Sequence, residues 1–308
     1  AWYTSQSSKC ETAFLPAIKS NCATHVTLRN SQNSNMSAVQ VVPQQAKIVP
    51  QAQVVGVVQA PPQAIDASRT TAQLALVSTL VVKQTRRGCM QEMMGCEAKN
   101  EFLISTRENP NNVLMYSLEE STCLMRTCFK NQRAMKQSVV VGQNEAAMSG
   151  MPIMTGTKGL TCALAPCGCC CNPYLDLTTG DNLPLGKVTV PFFCCIPAYK
   201  IADAQGQPEY EIHQPTCCCG MCINICSGGC CNCRIPYHIY TPGQADKGKG
   251  KELGIVEKQW RGLGTEMFSD ADTFTINFPK DADPDSKARI LGFAFLLNMM
   301  EFEKPQKQ

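Results

Sequence analysis

Two groups of residues have types and spacing that could do chemistry. The first is the run Asp270-Ala271-Asp272-Thr273-Phe274-Thr275-Ile276-Asn277-Phe278-Pro279-Lys280-Asp281. Its carboxylates fall at the first, third and twelfth positions of an EF-hand loop, and hard oxygen ligands of this kind suit Ca2+. Backbone carbonyls of Phe274, Ile276 and Phe278 would complete the coordination. The sixth position is Thr275 instead of glycine, and the twelfth is Asp281 instead of a bidentate glutamate. Such a site is weak, roughly 10⁻⁴ M or poorer on the EF-hand scale. The competing reading of the same residues is a turn into a strand over Thr273–Phe278, with Asp270 and Asp272 solvated.

The second group is the cysteines. There are 21, and fifteen of them lie between Cys162 and Cys233. Cys219-x2-Cys222, Cys230-x2-Cys233 and Cys167-x2-Cys170 have zinc-ligand spacing, although so dense a population produces such pairs by chance. Blocks such as Cys169-Cys170-Cys171 make a poor disulfide framework, because strand neighbours point to opposite faces. Clustered thiols beside a membrane also suit S-acylation, and several acyl chains anchor a protein stably where one does not. Zinc, acylation and inert burial all remain open on spacing alone. A third stretch, Lys247-Gly248-Lys249-Gly250-Lys251, is interleaved with acids and reads as a solvated loop.

Composition bounds the function. The chain has 308 residues, 28 basic against 25 acidic, a net charge of +3 and 6% aromatic residues. Neither charge nor aromatics support a nucleic-acid-binding surface. The histidines are His25, His213 and His238, too few for His-rich metal catalysis. No constellation supports a nucleophilic enzyme. The chain opens with no apolar leader, so the expected compartment is the reducing cytosol. The longest apolar run, Ile290 to Met300, is far short of the roughly 20 residues a spanning helix needs.

The elements follow. Residues 1–65 are rich in Gln, Ala, Val and Pro, and read as a disordered tail with polyproline character near Pro61-Pro62. It is a spacer or a ligand for SH3 or WW domains. Met36-Ser37 reads as a start, which sets residues 1–35 apart as a leader absent from the mature protein. Residues 66–308 form the folded domain. Short strand-like runs lie at Leu80–Gln84, Glu101–Thr106, Val113–Leu118, Ser138–Val141, Lys187–Val190, Ala198–Ala202, Tyr210–His213, Tyr237–Tyr240, Gly254–Lys258 and Thr273–Phe278. This spacing predicts a mainly β barrel or sandwich. Asp283-Pro284-Asp285 then starts a helix running to about Glu303. It is apolar nearly all round, so it must be buried on all sides.

Gly254-Ile255-Val256-Glu257-Lys258-Gln259-Trp260-Arg261-Gly262, Phe268-Ser269-Asp270-Ala271-Asp272-Thr273-Phe274 and Ile276-Asn277-Phe278-Pro279 closely resemble the phospholipid scramblase family. So does the ending from Gly292-Phe293-Ala294-Phe295 to Glu303. The likeness covers about residues 74 to 304. It implies a tubby-like domain, a closed β-barrel around a buried C-terminal helix. It implies Ca2+-triggered, ATP-independent, bidirectional movement of phospholipids between leaflets, with no covalent chemistry. The family's calcium segment falls on Asp270–Asp281. Its acylated block falls near Cys167, Cys169, Cys170 and Cys171, which favours acylation over zinc there. The implied location is the cytosolic face of the plasma membrane, with cytoplasmic or nuclear fractions and a homo-oligomer as further expectations. An import segment overlying Gly254–Gly262 keeps few basic residues.

One physical difficulty accompanies the resemblance. A lipid headgroup needs a polar path through about 30 Å of hydrocarbon. An apolar helix with no polar stripe cannot line one. Oligomers would then deform the bilayer from its surface, or the chain is a non-enzymatic, acylated membrane-binding adaptor.

Overall fold

The computed structural model describes residues 69–85, 99–161, 172–192, 197–214, 234–243, 251–259 and 272–303. Residues 1–65, expected as a tail, and Cys167, Cys169, Cys170 and Cys171 lie outside them. Twelve strands appear in chain order. They are β1 (Thr79–Thr85), β2 (Glu101–Thr106), β3 (Val113–Glu120), β4 (Met135–Val141), β5 (Pro152–Lys158) and β6 (Tyr174–Thr179), followed by β7 (Pro184–Thr189), β8 (Ala198–Asp203), β9 (Pro208–His213), β10 (Ile235–Tyr240), β11 (Gly254–Gln259) and β12 (Thr273–Asn277). Each pairs antiparallel with its neighbour in sequence, and β1 pairs with β12 to close the barrel. Closure leaves no unpaired edge. The expected mainly β class and closed barrel are what the chain forms.

Because every pairing is antiparallel, odd strands all run one way and even strands the other. We call the end where β1 begins the upper end. Register shifts in β2, β4, β6 and β8 all fall toward it, at Ile104/Ser105, Val139/Val140, Leu177/Thr178 and Ile201/Ala202. Such bulges bend and twist a strand locally.

Among the described residues, two α-helices complete the fold. Helix α1 (Cys123–Phe129) lies in the lower connection between β3 and β4, and Thr122 caps it by accepting from the Met125 amide. Helix α2 (Pro284–Leu297) begins at the upper end. Asp283 caps it by accepting from the Ser286 amide, and Pro284 occupies its first turn. A π-helical turn, Asn298–Phe302, extends it to the lower end.

Every residue of α2 from Ser286 to Leu297 is buried. The strands turn alternate residues onto it, as Ile235, Tyr237 and Ile239 do in β10. Phe293 packs edge-on against Tyr199 at 4.9 Å, and Phe295 lies 5.0 Å from Phe102. The helix therefore fills the interior that the strands enclose. Gly292 permits that fit, since a Cβ there would come within 2.8 Å of the Leu177 side chain.

Candidate functional site: a buried helix fastened at both ends

The calcium-like segment is placed on a strand. Phe274 and Ile276 are fully buried on β12, Phe278 nearly so, and all three belong to the core. The backbone of Phe274 and Ile276 lies in register with Val82 and Leu80 of β1 on one side, and with Lys258 and Val256 of β11 on the other. Asp272 precedes β12 at the lower end, where its carboxylate meets the Lys258 ammonium at 2.8 Å. Asp281 is exposed in the turn after β12, at the upper end. Five strand residues separate the two ends, a span of roughly 17 Å at the usual rise. The structure thus does not bring Asp272 and Asp281 together, and Asp270 lies outside the described residues. Among the described residues, no group of three or more His, Cys, Asp or Glu is arranged to hold a metal.

The zinc-spaced cysteines also lie outside the described residues. Within them, Cys123 is disulfide-bonded and Cys128 is a free, exposed thiol.

The structure instead concentrates its buried polar chemistry at the two ends of α2. At the upper end, Arg289 donates to both oxygens of Glu209, at 2.5 and 2.9 Å, and to the Leu185 carbonyl at 2.8 Å. Glu209 also accepts from the Ser286 hydroxyl. Gly186, at φ +140°, makes room for this arm: a Cβ there would meet the Arg289 Cδ at 2.7 Å. Lys287 donates to the Leu74 and Ala75 carbonyls, at 3.1 and 2.8 Å. Burial holds its ammonium below the usual lysine pKa. Asp285 accepts from Thr71 at 2.6 Å and pairs with Arg69.

At the lower end, Glu301 accepts from the Tyr199 hydroxyl at 2.5 Å and from the Tyr237 hydroxyl, while Gln214 donates to Tyr237 at 2.9 Å. Burial raises the Glu301 carboxyl above its usual range, although both tyrosine hydroxyls oppose this. The same burial, with Glu301 alongside, raises both tyrosines well above theirs. Glu303 accepts from Arg133 at 2.7 and 3.0 Å. Burial raises its carboxyl too, against the opposing pull of Arg133. Arg133 also grips Glu119 at 2.7 and 2.8 Å, with both side chains fully buried. Burial would raise Glu119, but its bonds and attraction to Arg133 outweigh burial and hold it below the usual carboxylate range.

Lys158 closes this cluster by donating to the Arg133 carbonyl at 3.0 Å and to Thr161 at 3.2 Å. Lys258 lies over the Phe302 ring, 3.9 Å from its centroid. None of these side chains stood out in the sequence. One signal was present. Two carboxylates, Glu301 and Glu303, stand at a helix C-terminus, where the dipole disfavours negative charge, so each needs a donor from the wall.

This arrangement holds the helix at both ends. The donors and carboxylates satisfy one another, and the barrel interior is occupied by apolar side chains. Among the described residues, no helix is long and apolar enough to cross a membrane.

A twelve-stranded barrel sealed by its C-terminal helix is the frame on which the comparisons with known proteins fall. The Scramblase family model matches residues 57–304. The chain belongs to that family. Among its relatives, phospholipid scramblase 1 of Mus musculus is 25% identical over 245 residues, covering 80% of this chain and 67% of that protein. Phospholipid scramblase 2 of Bos taurus is 25% identical over 214 residues, covering 70% and 65%. Phospholipid scramblase 1 of Homo sapiens is 25% identical over 219 residues, covering 71% and 61%. The chain thus spans about two thirds of the length of these relatives. No solved structure matches it.

Proposed function

We propose that this chain moves phospholipids between the leaflets of a membrane, in both directions, without ATP and in response to Ca2+. The observation that carries the reading is family membership over residues 57–304, with relatives named phospholipid scramblases. Its place is the cytosolic face of the plasma membrane, held there by acylation among Cys167, Cys169, Cys170 and Cys171. Calcium acts near the start of β12, where Asp272 is paired with Lys258. An ion there competes with the ammonium for the same carboxylate, which supports a weak site.

A second reading is favoured by the filled barrel. With the helix occupying the interior, the described residues leave no polar lumen for a headgroup, which suits a non-enzymatic membrane-binding adaptor. Transbilayer lipid mixing separates the two. The purified full chain is reconstituted into vesicles carrying a labelled phospholipid in both leaflets, and the outer label is quenched. Ca2+-dependent loss of the protected inner signal, without leakage and without nucleotide, is the expected result. A stable inner signal with folded, bound protein overturns the scramblase reading and leaves the adaptor.

A further inference from the structure

The large hydrophobic side chains that are exposed among the described residues sit at the ends of the barrel. Leu76, Val141, Met151 and Leu183 are at the upper end, and Leu124, Phe129, Leu160 and Phe192 at the lower. Apolar exposure alone does not distinguish the ends. Charge does. Outside the strands, the described upper connections carry Glu108, Glu145, Asp181, Glu252, Asp281 and Asp283, more acids than bases. The described lower connections present Lys130 and Arg234 exposed and Lys99 half-buried, Arg234 lying 3.7 Å from Glu257 with most of its side chain in solvent. Their one carboxylate, Asp272, is already paired with Lys258. Glu120, where β3 ends, faces Lys136 at 3.7 Å.

The sequences of the connections divide in part: at the lower end 86–100 and 260–272 carry charges of both signs, while three others carry none. Residues 159–173, 190–197 and 214–233 join strands at the lower end and contain no Asp, Glu, Lys or Arg. The upper connections are built from Asn, Gln, Gly and charged residues, as in Arg107-Glu108-Asn109-Pro110-Asn111-Asn112. One end of the barrel thus has the chemistry of solvated turns. The other sets exposed bases beside its apolar side chains, with three of its connections uncharged. Apolar side chains that enter the headgroup boundary, with basic groups beside them, are what an anionic lipid surface binds.

We propose that the lower end of the barrel is the face that lies on an anionic phospholipid surface, with Leu124, Phe129, Leu160 and Phe192 entering it and Lys130 and Arg234 meeting its headgroups. The inference rests on the lipid reading above and adds the orientation. Helix α1 fits this role: Arg126 points inward and is buried, while Leu124 and Cys128, one turn apart, are exposed.

The test is co-sedimentation of the full chain with phosphatidylcholine vesicles, with and without phosphatidylserine. Two double variants are compared with the wild type, Leu124→Glu with Phe192→Glu at the lower end and Met151→Glu with Leu183→Glu at the upper. All four positions are exposed, so both variants should fold, and thermal melts check this. The lower pair is expected to weaken binding by about tenfold or more, and the upper pair to leave it unchanged. Lys130→Glu with Arg234→Glu should weaken binding only where phosphatidylserine is present. Loss of binding in the upper pair, or wild-type binding in the lower pair, overturns the orientation and leaves the lipid reading standing. A wild-type chain that binds neither vesicle sinks both.

Discussion

Lys158 illustrates how much the barrel demands of single residues. Its ammonium is almost wholly buried, donates to the Arg133 carbonyl and Thr161, and neighbours the Arg133 guanidinium. Burial first, and then Arg133, lower its pKa from 10.5 to about 8. The folded protein therefore holds this proton less tightly than the unfolded chain does. The resulting penalty is fully present below pH 8 and disappears as pH rises to 10.5. It amounts to about 3 kcal/mol at most. In urea unfolding, the stability of the wild type minus that of Lys158→Met should rise between these limits. The tyrosines, whose ionisation the fold opposes, are common to both proteins and cancel in the difference. A difference that stays flat with pH would show that the ammonium is fully compensated. The carboxylates act oppositely to one another. Glu119, lowered by Arg133, stabilises the fold above the usual carboxylate range, and that contribution is lost as pH falls through its folded pKa. Glu301 and Glu303, raised by burial, are relieved on acidification.

At the scale of elements, α2 decides the fold. Phe295 is 2% exposed and packs against Phe102. An aspartate there is an unpaired buried charge, which costs several kcal/mol or is forced neutral. Phe295→Asp is expected to abolish the cooperative thermal transition followed by circular dichroism. A folded variant that merely leaves the membrane fraction would instead make the helix an anchor. This helix was legible in advance, because Asp283-Pro284-Asp285 announces its start and the apolar run is too uniform for a surface. Ten of the strands were legible too, with ends shifted by a few residues. Strand β5 was not. Ile153, Met154, Thr155 and Gly156 are all buried, so both faces are covered and the alternation that marks a strand disappears. Strand β6 does alternate, but it follows directly on the cysteine block, which drew the reading toward metal and acyl chemistry. Helix α1 is seven residues with no apolar stripe to reveal it. For the candidate site, the spacing of Asp270–Asp281 matched a chelating loop, whereas its Thr-Phe-Thr-Ile core has strand propensity. Residues Thr273–Asn277 pair on both sides with β1 and β11, which spacing in one dimension could not show.

The barrel is a meander whose two ends differ in charge. That polarity is a property of topology: an up-and-down chain sends alternate connections to opposite ends, so a difference between odd and even connections becomes a difference between two faces. In the sequence the uncharged, cysteine-rich stretches are spread over 159–233. The described strands that flank them end on one side of the barrel, which only strand direction reveals. The same topology has a consequence for biosynthesis. The filler of the barrel is translated after all twelve strands of its wall, and the pairing that closes the wall joins β1 to β12, almost 200 residues apart. Until α2 leaves the ribosome, the emerging strands have no interior to fold against, and their apolar faces stay available to chaperones and to one another. Ribosome-bound chains stalled before Ser286 is exposed should be digested by protease throughout, and chains stalled well past Glu303 should yield a resistant domain. Early resistance would mean that the wall forms without its core. If synthesis proceeds as the topology requires, the barrel commits to its fold only after its whole wall has been made.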